Sequence, residues 1–157
     1  MRAHRTWQLC IASIFGISAL AAMPAAANHA DASFIGARAA EHALRMIGTP
    51  YRYGGTSPST GFDCSGLVQY SYRLAGANVP RTTDALRQAS ILVRASGLRR
   101  GDLVFFHQEG KRNGHVGIYI GGGEFIHAPS SGGRVRRDSL HSAYWRKHFS
   151  QARRIAA

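Results

Sequence analysis

The chain is short of cysteine and of acidic residues, and no apolar run in it is long enough to span a bilayer. Only two cysteines, Cys10 and Cys64, occur among 157 residues. Eight aspartates and glutamates face 20 lysines and arginines, a formal net charge of +12. The longest apolar stretch, Leu9 to Leu20, falls short of the roughly 20 residues a spanning helix needs, and Pro24 breaks the small-residue segment after it. Closely spaced ligand pairs of the C-x2-C or H-x3-H kind are missing too. Cys64, His115 and His127 carry zinc-ligating atoms, but without such a pair no metal site is expected.

The amino-terminal segment begins with Arg2, His4 and Arg5, passes through the apolar run and ends on the small residues Ala25-Ala26-Ala27. A positive start, a short apolar middle and an Ala-x-Ala end describe a secretory signal peptide. Residues 1–27 are therefore expected to be removed, with cleavage after Ala27 or a few residues later. Residues 28–35 then form a short lead-in and residues 36–157 one domain, a usual size for a single core. Cys10 departs with the signal. It follows Trp7-Gln8-Leu9, without the small residue expected before a lipid-modified cysteine, so a lipoprotein is not expected. The mature protein should be periplasmic or secreted, with Cys64 as its sole thiol and no internal disulfide.

The excess of positive charge favours acidic partners. Its densest cluster is Arg134-Val135-Arg136-Arg137. No zinc finger, RNA-binding aromatic signature or basic heptad accompanies it, so nucleic acid is not expected as a partner. Anionic cell-wall material suits an exported protein better.

Periodicity predicts a helix over about 33–47, with Phe34, Ala37, Ala40, Leu44 and Ile47 along one face. Residues 51–62, with three glycines and a proline, read as a loop. A second helix should begin at Cys64, capped by Asp63, carry Leu67, Val68, Ser71, Leu74 and Ala75 as its stripe, and stop at Gly76. A short helix over about 82–90 comes after Pro80. Strands are then expected at Leu103–Phe106, His115–Ile120 and Glu124–Ala128, the last two joined by Gly121-Gly122-Gly123 as a tight hairpin. Helices first and antiparallel strands afterwards indicate an α+β domain.

These placements suggest chemistry. A cysteine just after a helix cap has its thiolate favoured by unpaired amides and the helix dipole. The same amides can hold an oxyanion. Ser65-Gly66 keeps the first turn small, so that a substrate can approach closely. His115 and His127 are both odd-numbered on strands joined by an odd loop, which puts them on one sheet face, opposite or diagonal. One can take the thiol proton while the other orients it.

The ordered pieces Tyr51-Arg52-Tyr53-Gly54-Gly55, Phe62-Asp63-Cys64-Ser65-Gly66-Leu67-Val68, Val79-Pro80-Arg81-Thr82, Arg100-Gly101-Asp102-Leu103-Val104-Phe105-Phe106, His115-Val116-Gly117-Ile118-Tyr119 and Phe125-Ile126-His127-Ala128 resemble the NlpC family of bacterial cell-wall cysteine peptidases. The resemblance runs from about residue 36 to the carboxyl terminus and extends to the family's small, single-domain murein endopeptidases. It implies a papain-like α+β fold, with the nucleophile helix packed on a central antiparallel sheet. It also implies cleavage of amide bonds in peptidoglycan stem peptides, without metal or organic cofactor, by a protein expected to be a monomer. On this resemblance Cys64 is the nucleophile, His115 the general base and His127 the residue orienting it, with Tyr51 near the oxyanion site. Ser65 and Arg81 match cleft positions. Asp63 has two readings, helix cap or substrate contact, and position alone supports the cap. An amidase or acyltransferase of the same fold, and a wall-binding module without catalysis, are the rival readings. The bond cleaved, a cross-link or the link from D-glutamate to the diamino acid, is left open.

Overall fold

The computed structural model describes residues 25–108, 110–131 and 133–156. The expected signal segment lies outside the described residues except at Ala25–Ala27, where the first helix begins. In chain order the elements are α1 (Ala25–Arg45), the short strands β1 (Thr56–Ser57) and β2 (Gly61–Phe62), α2 (Cys64–Ala75), α3 (Thr83–Gln88) and β3 (Ser90–Val93). Strands β4 (Leu103–Gln108), β5 (Lys111–Gly121), β6 (Glu124–His127) and β7 (Arg136–Ser139) come next. Helix α4 (Ala143–His148) and strand β8 (Phe149–Ile155) complete the described chain.

Six strands form one sheet in the order β3-β8-β4-β5-β6-β7, every neighbouring pair antiparallel. The architecture is α+β, as the sequence indicates. One core unites α1, α2 and α3 with Leu103, Phe105, Val116, Ile118 and Ile126 of the sheet. A second apolar cluster comprises Val104, Phe106, Phe125 and Ala152 under Trp145 of α4. The alternation of β4 between these two clusters is the period-2 signature of a strand covered on both sides.

The first helix keeps part of the expected face, with Ala40 buried and Leu44 packed on the core, but it ends at Arg45 and turns Phe34 outward. Phe34 is 63% exposed and Ile47 46% exposed, whereas Gly36, Ala39, Ala40 and Ala43 are buried. Small side chains let this helix approach its neighbours closely: a Cβ on Gly36 would lie 3.2 Å from the Arg100 carbonyl oxygen. Helix α2 also departs in one position, burying Tyr72 in place of Leu74. The Tyr72 hydroxyl donates to the Gly101 carbonyl at 2.6 Å, giving the polar tip a partner inside the core.

Helix α2 has the predicted boundaries. Asp63 caps it by accepting from the Gly66 amide at 2.7 Å, and Gly76 ends it in the left-handed conformation with φ 102°. Gly66 itself serves a purpose other than the one expected. A Cβ there would lie 2.0 Å from the Gly55 carbonyl oxygen and 2.9 Å from Asp63 Oδ1. The small residue makes room for the protein's own loop, not for a substrate. That loop is folded back as the β1–β2 ladder, with Asp63 N donating to Gly55 O.

The β5–β6 hairpin turns on two residues rather than three. Gly121 pairs with Glu124, leaving Gly122 and Gly123 as the turn with φ 62° and 79°. Positive φ at both positions is what a primed two-residue turn demands. A two-residue turn alone would put His115 and His127 on opposite faces. An irregularity between Tyr119 and Gly121 adds one residue to β5 and restores the parity, so Tyr119 pairs with Phe125 and Ile118 with Ile126.

Replacing Gly66 by alanine forces the Gly55 carbonyl and the first turn of α2 apart. A loss of about 2–4 kcal/mol is expected, measured as a lower urea midpoint at unchanged slope. Gly76→Ala, strained in φ but with open space around its Cβ, should cost about 1 kcal/mol.

Candidate active site

Helix α2 delivers Cys64 as its first residue, half-buried at the edge of a cleft of about 610 Å3. Tyr51, Asp63, Ser65, Arg81 and His115 line the same cleft, together with Thr83, Arg112, Asn113 and Ser130. Five of the six other residues singled out from the sequence thus share the cleft of Cys64, and the sixth, His127, stands behind His115. The His115 Nε2 and His127 Nδ1 atoms are 2.8 Å apart, with the rings nearly perpendicular at 85°. The expected same-face placement holds, in its diagonal form.

Asp63 acts on three segments at once. Its Oδ1 accepts from Gly66 N at 2.7 Å, and its Oδ2 accepts from Gly54 N at 2.9 Å and from Arg81 Nη2 at 2.6 Å. Arg81 Nη1 also donates to Ser65 Oγ at 2.9 Å. The cap geometry is thus present, and the remaining lone pairs are largely occupied by the loop amide and the guanidinium. Tyr51 is held by its backbone: its N donates to Gly133 O at 2.9 Å, and a parallel bridge joins it to Phe62.

The electrostatics differ from the expectation drawn from position. Burial pushes the Cys64 thiol above its ordinary value. The Thr83 hydroxyl, 3.7 Å from the sulfur, and the backbone at Val116 and Ser65 pull it back, while the Asp63 charge adds to the rise. These hydrogen bonds, that from Thr83 foremost, offset only part of the desolvation, so the thiol is favoured over the thiolate. His115, 1% exposed, is pushed down to about 3, first by burial and then by His127 and Arg136, against the pull of Asp138. His127, fully buried, is pushed down to about 4 by burial, with Asp138 opposing. Both imidazoles are neutral near pH 7, the state in which one can accept a proton.

Three residues beside this constellation went unnoticed in the sequence. Asp138 Oδ2 lies 2.9 Å from His127 Nε2. Trp145 stacks over His115 at 5.8 Å with 20° between the planes. Thr83 opens α3 beside the sulfur. The signal for Asp138 was there: it is the lone acid after the Arg134–Arg137 cluster, at even spacing from Arg136, but no strand was assigned to that segment. Among the described residues no group of three or more His, Cys, Asp or Glu is arranged to hold a metal ion. No helix there is long and apolar enough to cross a membrane.

The sequence profile of the NlpC/P60 family matches residues 48–154. The chain belongs to the NlpC/P60 family. Among its curated relatives, the murein DD-endopeptidase MepH of Escherichia coli (strain K12) is 47% identical over 117 residues, covering 71% of this chain and 43% of MepH. The bifunctional muramidase/DL-endopeptidase CwlT of Bacillus subtilis (strain 168) is 44% identical over 117 residues, covering 73% of this chain and 35% of CwlT. An NLP/P60-family structure from Staphylococcus aureus subsp. aureus Mu50 superposes with a TM-score of 0.69 at 37% identity, covering 78% of this chain and 42% of that one. The chain spans less than half the length of these relatives.

The two neutral histidines predict how the stability of this NlpC/P60 domain depends on pH. Their folded values lie below the unfolded value of about 6.5, so the unfolded chain binds more protons in acid. Stability is fully present above pH 6.5 and is lost as pH falls towards 4 and 3. Each histidine held neutral contributes a loss of about 1.4 kcal/mol per pH unit in that window. Urea titrations from pH 7 to 4 should show a falling midpoint, and His127→Gln should flatten the fall. A midpoint independent of pH over that range would contradict the assignment.

Proposed function

We propose that the protein is a peptidoglycan hydrolase, a cysteine endopeptidase acting on amide bonds of murein stem peptides or their cross-links. The observation that carries the reading is the convergence of the helix-start Cys64 and the buried His115–His127 pair on one cleft. Membership in a family whose relatives are named murein endopeptidases supplies the substrate class.

In the first half of the reaction the Cys64 thiol gives its proton to His115 as sulfur attacks the peptide carbonyl carbon. The carbonyl oxygen becomes an oxyanion. The Asp63 cap uses the Gly66 amide, and the helix bonds Leu67 N to Asp63 O. The Ser65 backbone is engaged with the Cys64 sulfur, so we assign Cys64 N, with Tyr51 lining the same cleft, to the oxyanion. The imidazolium of His115 then protonates the departing amine as the C–N bond breaks. Water, deprotonated by His115, releases the acyl group and restores the thiol. A resting thiol beside a neutral imidazole fits this order: no ion pair has to persist in a desolvated site.

Ser65 and Arg81 face the cleft as a hydrogen-bonded pair braced by Asp63. Arg112 joins Arg81 on the rim, and the two cations suit the carboxylates of stem peptides. The export reading of residues 1–27 agrees with a substrate outside the cytoplasm.

Cys64→Ala and His115→Ala should each abolish hydrolysis of purified sacculi while the thermal transition stays within a few degrees. His127→Ala should leave a measurable rate, reduced about 10- to 100-fold. Mass spectrometry of the products from one cross-linked muropeptide identifies the bond. Retention of full activity in Cys64→Ala would refute the reading, and release of a lipid or small-amide product alone would favour the amidase or acyltransferase alternative.

A further inference from the structure

We infer that Asp138 is a positioning residue that fixes the tautomers of both histidines, so that His115 presents its Nδ1 lone pair to the thiol. This deepens the reading of Cys64 and His115 as nucleophile and base and rests on it.

The argument is one of donors and acceptors. Asp138 Oδ2 receives Arg136 Nε at 3.1 Å and Trp145 Nε1 at 3.0 Å. Neither of those nitrogens can accept a hydrogen bond, so both fix Oδ2 as an acceptor. Partial burial alone would raise the carboxyl, but hydrogen bonds from His127, Trp145 and Arg136 outweigh it and hold it below its ordinary value. An ionised carboxylate can only accept. The His127 Nε2 atom, 2.9 Å away, must therefore carry a proton, because two lone pairs at that distance would repel. In a neutral His127 the proton on Nε2 leaves Nδ1 bare. His115 Nε2, 2.8 Å from that bare nitrogen, must then be the donor. The lone pair of His115 is left on Nδ1, the one ring nitrogen the relay does not use. The opposite pair of tautomers would place a bare His127 Nε2 against an ionised Oδ2, which the two fixed donors forbid.

The sheet builds this relay by repeating one step. His127 stands opposite Arg136 on β7, and Asp138 is two residues beyond it on the same face. On the other side His115 stands two residues before Gly117, which follows the last β5–β6 pair, Ile118 with Ile126, and so continues that register towards His127. A Cβ on Gly117 would lie 2.6 Å from Phe125 Cδ2, so the missing side chain leaves room for the Phe125 ring, which sits tilted at 41° beside His127 with 5.0 Å between centroids. Trp145 closes the top, stacked on His115 and edge-on to His127 at 5.0 Å. The same indole that covers both rings thus donates to the carboxylate that orients them.

The charge has a second effect. When His115 takes the thiol proton, the positive charge is shared along two hydrogen bonds that end on Asp138. Asparagine at position 138 can keep the hydrogen bonds, because Arg136 and Trp145 select its carbonyl oxygen, but it cannot supply the charge. Alanine removes both.

The test uses the whole chain on one cross-linked muropeptide, with Cys64→Ala as the control that the hydrolysis measured is its own. Asp138→Ala should lower kcat by roughly 30-fold or more with KM within about twofold, since Asp138 touches no substrate. Asp138→Asn should fall between this and the natural protein. Nitrogen-15 spectra of labelled histidine should show the Nε2–H tautomer for His115 and His127 in the natural protein and in Asp138→Asn. In Asp138→Ala the His127 signal should move towards a mixture. A folded Asp138→Ala with kcat within about threefold of the natural protein, or with both tautomers unchanged, overturns the inference and leaves the Cys64–His115 reading standing. Activity that survives Cys64→Ala overturns that reading instead. Should the alanine variant fail to fold, Asp138→Asn decides: a lowered kcat with tautomers kept supports the inference, and an unchanged kcat overturns it.

Discussion

The Asp63 carboxylate is the point on which the cleft depends. Four donors converge on it from three separate segments: the Gly66 amide and the Ser65 hydroxyl in α2, the Gly54 amide in the preceding loop, and the Arg81 guanidinium ahead of α3. A charged acceptor satisfied by several donors holds its neighbours more firmly than neutral contacts would. Cys64, the next residue, inherits its position from this anchoring. The side chain that starts the helix thus also fixes the floor and one wall of the site. Removing it would leave buried donors without acceptors, which costs more than the bonds themselves contribute.

Burial then decides the ionisation states around the sulfur. Desolvation keeps both histidines neutral and Cys64 protonated. Helix-end fields are worth up to about 2 kcal/mol in favourable, partly buried positions, and the net shift at Cys64 is upward. In the proposed reaction the proton would therefore move during attack rather than beforehand. The polar relay of two imidazoles and one carboxylate survives under an aromatic cover because nearly every member has a partner, the condition under which a buried network is stable.

Much of this was legible in the residues. Asp63-Cys64 announced a cap and a helix start, Gly76 its end, the apolar run Leu103–Phe106 strand β4, and alternation and the glycine turn strands β5 and β6. These signals are local, so single-sequence reasoning reaches them. The buried face of α1 was legible only at Ala40 and Leu44: alanine and glycine score weakly as apolar, the conspicuous Phe34 projects outward, and Ile47 lies past the helix end. Strands β7 and β8 escaped because Arg136-Arg137 and Arg153-Arg154 look like solvated charge, and β3 because it has only four residues. In β8 these side chains in fact bond sideways, as in the pairing of Arg154 with the 2% exposed Asp102 at 2.7 Å. Asp138 and Trp145 could be linked to the histidines only after β7 and α4 were in place. The small first turn at Gly66 was recognised, but the group that needs the space, the Gly55 carbonyl, is set by tertiary folding.

The extra residue at Ile120 carries an implication for how this hairpin can change over generations. Turn and bulge together count as an odd insertion, and only odd counts keep His115 and His127 facing the same way. Length here is constrained modulo two. A lineage could lengthen the turn by a pair of residues, or lose bulge and one turn residue together, and keep the relay. A single-residue insertion or deletion would rotate His127 into the opposite layer, away from Asp138. Natural length variation at residues 120–123 should therefore come in even steps, a frame that acts on side-chain direction as a codon's three acts on meaning.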